Sequence, residues 1–328
     1  MTARYLPLLA IVFTLLGGCS ALGPTHDVKG PVPLNKAVAE VPENQLLDIW
    51  IELFDPGELP EDEDEAMGLS MDIRDAEARS IPEQLRTTME STGHWGAVRV
   101  VPQETTGAEL LVQGTIIASD GEQLALRIKA FDASGREWFD RAYEQELIEG
   151  VYKARGLIRN PPSQDVFQSL YNTIANDLAE FRRTLTAGDI ESIRQVAELR
   201  FAADLSPEAF ADDLQVDKNG HYTVVHLPAA DDPMYQRVLA IRDRDFLLID
   251  PLNGHFDNFC REMDTPYNEW RKARSEEAAA LRKVERDAMQ RKLIGVAAIL
   301  GAIALEATNG GNYNSSILRD TLVLGGAY

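Results

Sequence analysis

"AELLVQGTIIASDGEQLALRIKAFDASGREWFDRAYEQE", residues 108–146, decides the fold. Three runs rich in β-branched, aliphatic and aromatic residues are separated by "SDGEQ" and "DASGRE", whose Asp, Ser and Gly residues favour tight turns. Apolar and polar positions alternate within the runs, the period of a strand with one buried face. The stretch therefore predicts a three-strand meander.

Working outward toward the amino terminus, "WGAVRVVP" (95–102) predicts another strand, and "QLLDIWIELFDP" (45–56) a further one stopped by Pro56 and Gly57. Between them, "SIPEQLRTTMES" (80–91) places Ser80 and Glu83 in the spacing of a capping box. Ile81, Leu85 and Met89 fall one turn apart on one face, and Gly93 closes that helix. Strand, helix, strand and meander in that order make an α+β sandwich with a helix over one sheet face.

Beyond residue 150 the period changes. Phe167, Leu170, Tyr171, Ile174, Leu178 and Phe181 repeat at amphipathic helical spacing, and "GDIESIRQVAELRFAADL" continues the pattern after Gly188. "LQVDKNGHYTVVHL" predicts a hairpin through a type I′ turn at Asn219-Gly220, after which helices resume. The expected fold is α+β: a small mixed-sheet α/β module at 45–150, then a mostly helical region at 151–328 with one hairpin.

The chain's start fixes a compartment. Arg4 precedes an apolar run of about a dozen residues, shorter than the roughly 18–20 a bilayer span requires. The run ends in "LGGC" (Leu16, Gly17, Gly18, Cys19), which resembles the bacterial lipobox. That resemblance implies cleavage between Gly18 and Cys19, removal of residues 1–18, and a diacylglycerol on the Cys19 sulfur. Ser20, not Asp, follows, which by the same resemblance points to the outer membrane on its periplasmic face. Residues 19–44, rich in Pro, Gly and small side chains, read as the lipidated cysteine and a flexible tether.

Charge removes one function class. With 32 Lys and Arg against 53 Asp and Glu, the formal net charge is −21, a field that repels nucleic acid. The acid is spread along the chain, with one run, "EDEDE", at 61–65. Cys260 is the second of two cysteines, and it reads as a buried structural thiol once Cys19 is acylated.

No catalytic or metal constellation emerges. Asp217, Asn219 and Gly220 match the third, fifth and sixth positions of a calcium loop, but Gln215 and His226 stand at its first and twelfth, so the bidentate carboxylate is missing. His221 and His226, five apart on a strand, face opposite ways. The histidines show no zinc-protease spacing, and neither a nucleophile elbow nor a phosphate loop occurs. Trp50, Trp95, Trp138 and Trp270 read as core or sheet-face residues. The chain is accordingly expected to be no enzyme and to need no cofactor.

One late stretch stands apart. "LIGVAAILGAIAL" (293–305) is an apolar run of about twenty ångströms of helix, short of a hydrocarbon core. Gly295 and the small-xxx-small pairs Ala297/Gly301 and Ala298/Ala302 permit close helix approach, which fits first a buried packing helix, then self-association through these residues, and last membrane insertion.

Val98 to Pro102, Gly114 and Asp132 to Gly135 carry a wider resemblance, over residues 45–147. In strand order and turn placement they are similar to the small α/β domain shared by the curli-secretion lipoprotein, the amino-terminal domain of the Tol-system β-propeller protein, and lipoprotein activators of peptidoglycan synthases. The resemblance implies an envelope module whose matching positions are structural. Partners expected on these grounds are the membrane, through acyl chains, and an unidentified envelope protein. The alternatives are an oligomeric secretion or pore component and, behind it, an envelope enzyme of unidentified class.

Overall fold

The computed structural model describes residues 25–59, 69–103, 107–148, 150–156 and 164–308. The lipobox, Gly18, Cys19 and the acidic run at 61–65 lie outside them.

The elements are β1 (Thr25–Asp27), β2 (Ile49–Glu52), α1 (Met71–Glu90), β3 (Val98–Val101), β4 (Leu110–Ser119), β5 (Gln123–Asp132), β6 (Glu137–Glu146), α2 (Val151–Gly156), α3 (Gln168–Arg183), α4 (Ala187–Leu205), α5 (Pro207–Phe210), β7 (Leu214–Val216), β8 (Tyr222–Val224) and α6 (Pro233–Thr308). Six strands form one mixed sheet in the order β1-β6-β5-β4-β2-β3. The meander β4-β5-β6 is antiparallel, while β2 runs parallel to both β4 and β3, and β1 parallel to β6. The mixed sheet, the mostly helical region and its two-strand hairpin are as the sequence predicts.

Alternation sets the faces. Leu110, Val112 and Ile116 of β4 and Leu124, Leu126, Ile128 and Ala130 of β5 point to one side and are buried there. α1 covers that side with Ile81, Leu85 and Met89, and α3 with Leu170, Ile174 and Leu178. Gly114 is required where β4 passes Phe54, because a Cβ there would lie 2.5 Å from the ring. Trp95, Trp138 and Phe181 line up in the same core, with Trp138 and Phe181 stacked at 4.7 Å.

Four expectations are corrected. First, residues from Thr25 on are not a free tether: β1 pairs with β6, and the chain then lies along α3, where Asn172 donates to the Val32 carbonyl at 2.8 Å and Asn176 both accepts from Asn35 N–H and donates to the Pro33 carbonyl. A Pro-rich segment with no period of its own is held because side chains of another element satisfy its backbone. Second, α1 begins at Met71 with Ser70 as its cap, so Ser80 lies inside the helix and Glu83, buried, pairs with Arg86 instead of reaching back to a cap.

Third, the boundary at 150/151 is absent. α3 and α4 add Phe167, Tyr171, Ile190 and Ile193 to the same core as the sheet, and the chain divides instead into one unit to Tyr267 and a second from Asn268. Fourth, the hairpin turn has three connecting residues. Asp217 N–H donates to the His221 carbonyl, the Gly220 N–H returns to the Asp217 carbonyl, and Gly220 takes φ +85°, the left-handed residue that such a loop needs.

In the second unit the backbone is helical to Thr308, which includes 293–305. The side chains of Gly295, Ala297, Ala298, Gly301 and Ala302 lie outside the described residues.

Candidate interaction surface

α6 is the element that builds the surface. Within the first unit its inward residues follow a 3–4 spacing: Tyr235, Val238, Arg242, Phe246, Ile249, Asn253, Phe256, Cys260 and Tyr267. Tyr235 and Val238 pack on Leu199, Ala202 and Phe210. Phe246 meets Trp50 edge-on at 6.2 Å on the sheet face opposite α1, where Trp50, Val101 and Ala108 form a small second core. Tyr267 donates its hydroxyl to Glu77 of α1, which also accepts from Ser119 at 2.6 Å. The helix thus crosses the sheet from its second face, past the β3 edge, to α1.

Polar groups fix that crossing. Arg99 of β3 donates to both oxygens of Asp250, at 2.7 and 3.3 Å, and to Asp48 at 2.9 Å, while its guanidinium lies 4.3 Å from the centre of the Phe246 ring. Glu109 accepts from the Asp48 N–H at 2.8 Å and faces Arg242 at 3.5 Å and Arg194 at 3.6 Å. Burial raises the Glu109 carboxyl above its ordinary value, against the pull of the Asp48 N–H and the two arginines. Arg242 continues to Glu198, which accepts the Tyr235 hydroxyl at 2.8 Å.

Asn253 closes the sheet edge. Its Oδ1 accepts the Val100 N–H at 2.7 Å and its Nδ2 donates to the Val100 carbonyl at 3.1 Å, so one side-chain amide stands where a further strand would pair. Cys260 is buried near Glu83 and Asp257, and burial followed by those carboxylates pushes its thiol up to about 11. It is an inert packing group at neutral pH.

The flank of α6 beside that packed face is the surface itself. Leu248 is 64% exposed, Leu252 65%, Phe259 56% and Met263 45%. They recur at i, i+4, i+11 and i+15, one stripe of about 22 Å along the helix. Beside it a cavity of about 320 Å³ opens between α6 and the ends of β2 and β3, lined by Leu53, Val100, Pro102, Ile249, Leu252 and Phe256 among others. Stripe and cavity share Leu252. Large exposed apolar residues grouped this way mark sites of contact on soluble proteins.

The residues singled out in the sequence fall elsewhere. Gly114 sits in the core under Phe54, and Asp132 holds the β5–β6 turn by accepting from Trp138 Nε1 at 3.0 Å and the Ser134 N–H at 3.0 Å. Val98 to Val101 form β3, whose edge α6 covers. Sequence reasoning missed the α6 stripe because "FLLIDPLNGHFDNFCREM" is apolar on two faces, and nothing local says which one the sheet takes. Its signal was an excess: more apolar positions per turn than one buried stripe uses.

Among the described residues, no helix is long and apolar enough to cross a membrane. Comparison with protein-family models, curated proteins and solved structures finds no match.

Proposed function

With no relative to supply a premise, we propose that the chain is a lipid-anchored protein of the bacterial outer membrane, facing the periplasm, which works through protein contacts in envelope assembly or maintenance. The observation that carries this reading is the "LGGC" ending of the apolar run, with Cys19 as the acylated residue. Each acyl CH₂ buried contributes about 0.8 kcal/mol, so a multiply acylated Cys19 holds the folded part at the membrane for its lifetime. The exposed stripe of α6 supports a role in contacts.

Mass spectrometry of the mature amino terminus tests the anchor. The expected result is a chain beginning at Cys19 with added acyl mass, in the membrane fraction, and a Cys19→Ser chain that is neither cleaved nor acylated there. A mature end at any other residue removes the compartment from the argument. Photocrosslinking in cells tests the mode of action: discrete protein adducts are expected from surface positions, and their absence everywhere on the surface counts against contacts as the function.

A further inference from the structure

We propose that the β1 side of the first unit, the outer edge of β1 together with residues 28–38 laid over α3, rests on the phospholipid headgroups of the membrane that holds Cys19. The inference rests on the reading that Cys19 is acylated, and adds which surface meets the lipid.

Chain length sets the reach. β1 joins the sheet at Thr25, six residue steps from Cys19. At about 3.6 Å per step these cover at most about 22 Å. β1 is one edge of the sheet and β3 the other, five strand spacings or about 24 Å away, and α6 lies past that edge at a further helix diameter of about 10 Å. A membrane against α6 or the β3 edge is therefore beyond the reach of Cys19. One against the β1 side is not.

Charge chooses among the sides within reach. Residues 25–38 and α3 hold four Lys and Arg against three Asp and Glu, whereas the meander at 110–146 holds four against seven and α1 three against five. On the β1 side Lys29 is paired with Asp27, Arg183 with Glu180, and Asp177 with Arg141 of β6, which leaves the charges of Lys36 and Arg182 uncancelled. A chain of net charge −21 turns its least acidic side to an anionic phospholipid surface. Pro31, Pro33 and Val38 are exposed there and enter the headgroup layer without desolvating a charge.

Vesicles of phosphatidylethanolamine and phosphatidylglycerol, with a nitroxide on a fraction of the headgroups, test it on the mature acylated chain carrying Cys260→Ala. A fluorophore is attached through Pro31→Cys, Val38→Cys, Lys129→Cys on the sheet face opposite α1, or Leu252→Cys on α6. Quenching by the headgroup nitroxide is expected at Pro31 and Val38 and not at Lys129 or Leu252. Lys29→Glu/Lys36→Glu should lower the quenching at Val38, and Lys29→Arg/Lys36→Arg should preserve it.

Quenching at Leu252, quenching at Lys129 as strong as at Val38, or none at any of the four while the chain stays bound would overturn the orientation and leave the anchor standing. A Lys29→Glu/Lys36→Glu chain quenched like its parent would overturn it too, since charge would then not choose the side. A chain that does not stay on the vesicles would sink the anchor itself, and this surface with it.

Discussion

At the scale of the residue, Glu109 joins four elements through one buried carboxyl: β4, to which its chain leads, the Asp48 backbone before β2, and the arginines of α4 and α6. Its raised value has a defined sign. A carboxyl that is harder to ionise when folded keeps its proton in the folded chain over a window beginning near 4.5, its ordinary value, and extending up to the folded value. In that window the folded chain binds more protons than the unfolded one, so the stability this group contributes is present at low pH and declines as pH rises. Glu109→Gln removes the titration while keeping an acceptor for the Asp48 N–H. The melting temperature of Glu109→Gln minus that of the parent chain should therefore grow more positive as pH rises above about 4.5, then level off. Thermal unfolding followed from pH 4 to 7 measures it. A difference moving the other way would mean that the pairs with Arg194 and Arg242 outweigh burial. Glu83, also raised chiefly by burial, is present in both chains and cancels.

At the scale of the element, an exposed sheet edge is a liability, and the β3 edge is managed by one amide on α6. Asn253→Ala leaves the Val100 N–H and carbonyl buried with neither of these bonds. Each orphaned group costs about 1–3 kcal/mol, so a loss of about 2–3 kcal/mol is expected, a fall of roughly 5–10 °C in a chain of this size. Amide exchange at Val100 should quicken more than at Ile51, which β2 keeps paired inside the sheet; uniform quickening along both strands would show that Asn253 acts by packing instead. The strands themselves were legible, since a period of two with Asp-Gly and Ser-Gly turns fixes β4, β5 and β6 locally. The helix faces of α1 and α3 were legible for the same reason at a period near 3.6. What escaped was long-range. Asn253 and Val100 are 153 positions apart, and no pattern within either segment announces the other. The stretch after Thr25 carries no period of its own and reads as a tether, because its order comes from Asn172 and Asn176 of α3. The beginning of α1 is hidden in the sequence because Ser80 and Glu83 imitate a cap while the true start, Ser70, lacks that spacing. α6 read as separate helices because Pro251, Gly254 and Pro266 look like breaks, yet both prolines are exposed and cost the packed face nothing. The candidate surface shared that fate, as its apolar residues were visible but their orientation depends on which side Phe246 and Asn253 give to the sheet.

At the scale of the whole molecule, the first unit closes only when α6 is laid across it. Trp50 and Val101 take their cover from Phe246, Arg99 takes Asp250, and Glu77 takes Tyr267, all contributed between Tyr235 and Tyr267. A buried aliphatic or aromatic side chain contributes about 1.5–3 kcal/mol, against a total stability for a domain of about 5–15 kcal/mol. Losing Phe246, Ile249 and Asn253 together therefore removes a large part of the margin and bares the β3 edge. Two truncations separate this from a merely local role. A chain ending at Tyr267 retains every contact just named and should unfold in one cooperative transition, with the fluorescence of buried Trp50, Trp95 and Trp138 unchanged before it. A chain ending at Asp232 should melt at least about 10 °C lower or aggregate, with Trp50 emission shifted to the red, because the second sheet face and the strand edge are then both open. If the Asp232 chain melted with the parent, α6 would be an appendage and the face it presents would have no fixed backing; if the Tyr267 chain failed to fold, the division of the chain at that residue would not mark an independent unit.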